Sequence, residues 1–160
     1  MKTLYKQYIV VTLAVIVASI TLSMLLLGQI YSAQVRPNTD AQNFEVAQEV
    51  KQILSTMPGD SYDAYFESIA KFGYQLTISD ASGATAHYGN PFKKTDLTPE
   101  MSAIIGTEQV YHGIQDYKET FFFMNHFAND VQNTIGLPFL LNGEPHALFI
   151  RQGNATLFSE

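Results

Sequence analysis

The chain has 160 residues, no cysteine and a formal net charge of −6; hydrophobic residues make up 46% of it and charged residues only 15%. The lack of cysteine excludes a disulfide framework, a thiolate metal site, a cysteine nucleophile and a lipidated-cysteine anchor. An acidic pI near 5.1 denies the chain the basic face that nucleic acid requires, so no nucleic-acid partner is expected.

The first predicted element is the most distinctive. Residues 8–27 read YIVVTLAVIVASITLSMLLL, and no charge falls between Lys6 and Arg36. A helix of that length spans about 30 Å, the thickness of a bilayer's hydrocarbon core. In lipid the backbone must satisfy its own hydrogen bonds, which a helix does. Lys2 and Lys6 precede the run, and no acid does. The segment after it holds all fifteen acids against seven basic residues. The positive-inside rule therefore keeps residues 1–7 in the cytoplasm, spans the membrane with residues 8–30 and places residues 31–160 outside the cell. A cleaved signal peptide is the competing reading. Its apolar region would be shorter, and the best cleavage candidate, Tyr31-Ser32-Ala33, has a bulky Tyr at −3. Within the span, Ala14 and Ala18 are four apart, as are Ser19 and Ser23, a spacing that suits close helix–helix contact. Tyr31 is placed at the outer headgroup level.

Beyond the anchor, Asn38-Thr39-Asp40 offers helix caps after Pro37. Phe44, Ala47, Val50, Leu54 and Met57 then follow at three- and four-residue steps, so an amphipathic helix is predicted up to Pro58-Gly59. A second helix is predicted over residues 62–72, with Gly73 as its stop. The period then drops to two. Tyr74-Gln75-Leu76-Thr77-Ile78 reads as a strand, Asp80-Ala81-Ser82-Gly83 as a turn and residues 84–88 as the returning strand. Thr98-Pro99-Glu100 is an N-cap, a first-turn Pro and a first-turn acid, opening a short helix to about Ile105. Further extended segments fall at 109–114, 119–127 and 134–141. Asn142-Gly143 is the strongest hairpin signal and leads into 146–151. The fold class expected is α+β: a transmembrane helix followed by a PAS-like domain over residues 31–154, with a five-stranded antiparallel sheet and helices on one face. Residues 155–160 read as the start of a second membrane helix.

No motif for catalysis is present: no H-E-x-x-H, no G-x-S-x-G, no phosphate loop and no S-x-x-K. His87, His112, His126 and His146 fall in separate elements without metal-ligand spacing. Two features are less easily assigned to ordinary structure. Phe121-Phe122-Phe123, with Phe127 beyond it, puts apolar rings on both faces of a predicted strand. That suits either a strand buried on both sides or the wall of a flat apolar ligand. Arg151 is the only arginine after Arg36, and it follows the apolar run Ala147-Leu148-Phe149-Ile150. It is either a snorkelling interfacial side chain or a clamp for an anion. Asn154-Ala155-Thr156 matches a glycosylation sequon by the short pattern alone.

Several stretches, in order, resemble the heme-sensing sensor histidine kinases of Gram-positive two-component systems. They are Lys2-Thr3-Leu4-Tyr5, Gly73-Tyr74-Gln75, Tyr88-Gly89-Asn90-Pro91-Phe92, Tyr111-His112-Gly113-Ile114, Asn133-Thr134-Ile135-Gly136 and Ala147-Leu148-Phe149-Ile150-Arg151. The resemblance implies a membrane kinase, dimeric through its membrane helices, with two such helices around an extracellular PAS-like domain. A HAMP linker and an ATP-binding kinase core would follow. Such a kinase would report heme to a response regulator controlling heme efflux. This chain carries no nucleotide motif, so ATP would belong to the missing kinase domain and heme would be a sensed ligand, not a catalytic cofactor. The family is thought to sense heme at the membrane junction with aromatic residues and an arginine. Carried over by position these are Arg151 and Phe127, with Phe149, Phe158 and Met24 beside them. Met24 stands where the family has phenylalanine, and Gln152 where it tends to have proline. The second candidate pocket, for a different small molecule, is placed at Tyr111 and His112.

Overall fold

A computed structural model of the chain describes residues 1–117 and 128–153. It begins with α1 (Lys2–Ile30), whose apolar side chains are exposed from end to end apart from Gly28. The helix is long and apolar enough to cross a membrane. Its polar side chains suit lipid: the Thr12, Ser19 and Thr21 hydroxyls donate to the carbonyls of Tyr8, Val15 and Val17, one turn back.

The helix does not stop at the end of the apolar run. Five residues, Tyr31–Val35, form a π-helical turn and lead directly into α2 (Arg36–Thr56), giving one continuous helix of 55 residues. The caps expected at Asn38-Thr39-Asp40 are therefore not used as a helix start, and no side chain caps α2. Pro37 occupies its first turn and brings no N–H to the ladder. A π turn immediately before it, in which the Arg36 N–H donates to the Tyr31 carbonyl, lets the rod pass the proline without breaking. Met57, with an extended ψ of 142°, ends α2 before Pro58.

A 3-10 turn at Gly59–Ser61 leads to α3 (Tyr62–Lys71), which stops as predicted at Gly73, where φ is 92°. The strands are β1 (Tyr74–Asp80), β2 (Thr85–Tyr88), β3 (Tyr111–His112), β4 (Ile135–Leu141) and β5 (Glu144–Gln152). They form one five-stranded antiparallel sheet in the order β2-β1-β5-β4-β3. Two tight turns match their sequences. Asp80 Oδ1 accepts from the N–H of Ser82 and Ala84 in the first. Asn142 (φ 54°) and Gly143 (φ 81°) supply the left-handed pair of the β4–β5 hairpin. Thr98 caps α4 (Pro99–Ala103) by accepting from the Met101 N–H.

One segment departs from its predicted form. The strand expected over 109–114 is cut to two residues, after which the chain turns into α5 (Gly113–Asp116). A side chain at Gly113 would place its Cβ 2.1 Å from the Gln132 carbonyl oxygen, so only glycine permits that turn. The strand expected over 119–127 lies outside the described residues.

Two apolar clusters sandwich the sheet. On one face, Ala47, Val50 and Leu54 of α2 and Phe66 of α3 pack on Leu76, Ile78, Ile135, Leu137, Leu148 and Ile150. The other face is covered by Phe92, by Met101 and Ile104 from the α4 region and by Val131, which close over Ala147 and Phe149. Hence the polar row Gln75, Thr77 and Ser79 is 5%, 0% and 1% exposed.

Candidate functional site

The chain has two arginines, and the fold brings both to the place where α1 meets the domain. Arg36 leaves the first turn of α2. Its guanidinium donates to the backbone carbonyls of Gln115 (2.9 Å) and Tyr117, and it stands 5.5 Å over the ring of Tyr31. Arg151 arrives from the end of β5. It is 5% exposed and donates through Nη1 to the carbonyl of Ala128. Burial pulls its pKa below the usual arginine value, while neighbouring Tyr31, Tyr117 and Asp130 oppose that change. Tyr31, the first residue past α1, is only 7% exposed.

A buried carboxylate completes the cluster. Asp130 is 1% exposed and accepts from the Tyr117 hydroxyl at 3.0 Å and from the Gln132 N–H at 2.9 Å. Asn133 donates at 3.2 Å to the Ala128 carbonyl that Arg151 also holds. The result is a polar cluster of two guanidiniums, two tyrosines and one carboxylate, buried except for the half-buried Arg36, at the root of an apolar helix. Among the described residues, two buried side-chain polar atoms have no hydrogen-bond partner: Arg36 Nε and Asp40 Oδ1. Both lie in the first two turns of α2, beside this cluster.

A guanidinium so placed matches an anion with a fork of donors, and the adjacent helix supplies apolar surface. The arrangement is thus suited to a molecule that is apolar over most of its area and anionic at one edge. With that geometry in hand, comparison with known proteins is decisive. The family model for the HssS heme sensor protein N-terminal domain matches residues 3–158. This chain belongs to that family. Heme sensor protein HssS of Staphylococcus haemolyticus JCSC1435 is 28% identical over 159 residues, covering 99% of this chain and 35% of the relative. The heme sensor protein HssS of Staphylococcus aureus strain Newman gives the same figures, and that of strain JH9 is 27% identical. The chain therefore spans about a third of the length of the curated relatives it matches. No solved structure matches it.

The positions carried over from the HssS family fall in different surroundings. Arg151 belongs to the junction cluster just described. Met24 lies two turns inside α1 from Tyr31 and is 42% exposed on the helix surface. Phe149 is fully buried, edge-on to the Tyr111 ring at 6.1 Å, and forms part of the core. Phe127 and Phe158 lie outside the described residues. Tyr111 and His112 of the second candidate pocket point to opposite faces of the sheet. The Tyr111 hydroxyl donates to the Gln132 carbonyl at 2.7 Å, and burial, followed by Glu100, pushes its pKa up to about 12. His112 turns instead to α2, with Nδ1 2.7 Å from the buried Asp40 carboxylate and its ring 5.7 Å from Phe44.

Sequence reasoning missed Arg36, Tyr31, Tyr117 and Asp130. Their partners are largely backbone carbonyls and one another, which leave no spacing signature. The usable signal was compositional: two arginines in 160 residues, one at each end of the domain.

Proposed function

We propose that this chain is the sensing region of a membrane-bound two-component histidine kinase, and that heme is its cue, recognised where the domain meets the membrane. The observation that carries this reading is the convergence of Arg151, Arg36 and Tyr31 at the exit of an exposed apolar helix. Heme divides in the same way, into an apolar macrocycle and two carboxylates. The segment from residue 36 onward has a net negative charge that repels those carboxylates everywhere except beside a local cation. Arg151 is that cation in this reading, and Met24 lines the lipid side. Phe127 and Phe158 complete the site by analogy with the family. Phe149 supports the site from within the core.

Bringing a carboxylate to Arg151 competes with the Ala128 carbonyl it already holds. That competition gives the ligand a differential affinity for two arrangements of the junction, without which no signal passes. The strand order suits a PAS-like domain over residues 31–154; the charge asymmetry supports the extracellular side for it, with residues 1–7 in the cytoplasm and residues 8–30 in the bilayer. Residues 155–160 would open a second membrane helix. The relatives' additional length suits a kinase core that uses ATP, homodimerises through the membrane helices and passes phosphate to a response regulator governing heme efflux.

The test is a heme dose–response of the full-length kinase carrying Arg151→Ala. Loss of the response is expected, and an unchanged dose–response overturns the assignment. Heme titration of residues 36–160 alone, against the chain with its anchor, is expected to show much weaker binding. Equal binding would move the site into the domain itself.

A further inference from the structure

A cavity of about 270 Å³ opens at the other end of the sheet from the junction. His146 on its rim lies five residues before Arg151 along β5, about 17 Å away at strand rise. The cavity sits between α3 and the β1–β2 hairpin. Its floor is apolar, built from Phe66 (2% exposed) and Ile78 (6%). Its walls are the rings of Tyr62 and Tyr88, with Phe66 and Tyr88 centroids 5.1 Å apart.

The rim offers acceptors. Asp63 takes the Tyr88 hydroxyl on Oδ1. Asp80 uses Oδ1 for Ser82 and Ala84, and its Oδ2 takes no hydrogen bond among the described residues. His146 Nδ1 lies 3.0 Å from the Glu144 carbonyl and donates to it. Among the described residues, no lysine or arginine lines the cavity. The local field is negative: after burial, Asp63 and Glu67 together push the Tyr88 hydroxyl up to about 12.

We propose that this cleft binds a small organic ammonium ion, its apolar body against Tyr62, Phe66 and Tyr88 and its N–H donors on Asp63 and Asp80. Aromatic walls attract such a cation through their faces, and carboxylates at the rim complement its charge. A bare metal ion fits less well, because among the described residues no three His, Asp or Glu side chains converge to hold one. The volume suits a molecule near the lower end of the range for ligand sites. The inference does not rest on the heme reading: it concerns different residues at the opposite end of the domain.

The experiment is a titration of the full chain in nanodiscs with benzylamine, followed by the methyl resonances of Ala84 and Ala86, which line the cleft. Benzyl alcohol, of the same shape without charge, and calcium chloride are the control probes. Saturable shifts with benzylamine only are expected. Asp63→Asn keeps an acceptor for Tyr88 and removes one charge, so it should weaken binding roughly tenfold, the loss of one charge-assisted contact. Ala86→Leu, at an exposed strand position, should fill the cleft and abolish the Ala84 shift, the reporter that variant keeps, while leaving the unfolding temperature unchanged. Equal shifts with benzyl alcohol, equal shifts with calcium, no shifts at all, or full affinity in either variant would overturn the proposal.

Discussion

Arg151 is the single side chain on which most depends, and its environment sets what a substitution does. It is buried, it donates to a carbonyl, and it lies beside a buried carboxylate. Lysine keeps the charge but loses the planar fork. Arg151→Lys should therefore cost about 1.5–3 kcal/mol, the range for hydrogen bonds made by charged groups, visible as a lower unfolding temperature. Two half-buried phenols add a pH dependence. Tyr88 and Tyr111 are both raised from 10.0 to about 12 in the folded chain, chiefly by burial. Between those values the unfolded chain holds fewer protons than the native one, so stability falls as pH rises. The contribution is complete below pH 10 and gone above about 12. Denaturant unfolding at stepped alkaline pH should show this loss, and Tyr111→Phe should make it shallower. None of these partners could be read in the sequence. Rarity singled out Arg151, but a carbonyl such as Ala128's has no residue type, and Asp130 looks like any other surface acid until the chain is folded.

Elements were more legible, for reasons that differ from one to the next. β1 and the β4–β5 hairpin announce themselves by period-two alternation and by Asn142-Gly143, both local signals. The α1–α2 junction misleads for an equally local reason: Pro37 followed by Asn38-Thr39-Asp40 is what a new helix start looks like. Tertiary context overrides it, because Arg36 and Tyr31 anchor the π turn against residues 115–117. Period two also conceals that both faces of the sheet are covered: Gln75 donates to Asn90 and Asn129, Thr77 pairs with His87, and the Ser79 hydroxyl donates to the Asp80 carbonyl. Gly136 is the clearest element-level test. A Cβ there would lie 2.7 Å from Phe149 Cε1 and 2.9 Å from Tyr111 Cβ. Gly136→Ala should destabilise by about 1–3 kcal/mol through overpacking of a filled core. Combining it with Phe149→Leu should recover part of that loss in thermal unfolding, and no recovery would place the strain elsewhere.

At the scale of the molecule, the consequential feature is the continuous helix from Lys2 to Thr56. Its outer half is part of the domain core through Ala47, Val50 and Leu54, and its inner half is exposed apolar surface. A shift of the sheet against α2 is therefore carried along one rod, about 80 Å long, into the membrane segment. The only irregular turn between the two halves is the π turn at Tyr31–Val35, beside the arginine cluster. If the junction passes its signal through that rod, softening the turn should separate recognition from response. Ser32 and Ala33 are exposed, so replacing both with glycine removes no packing and weakens the helix by roughly 1 kcal/mol at Ala33 and about half that at Ser32. On the proposed heme reading, the Ser32→Gly, Ala33→Gly variant of the full-length protein should bind heme within about twofold of the unmodified protein, because Arg151 and Tyr31 are untouched and a twofold change is under 0.5 kcal/mol. The amplitude of its heme response should fall. A full-amplitude response would mean that the signal leaves the junction by another route, and a parallel loss of heme binding would mean that the turn shapes the site itself.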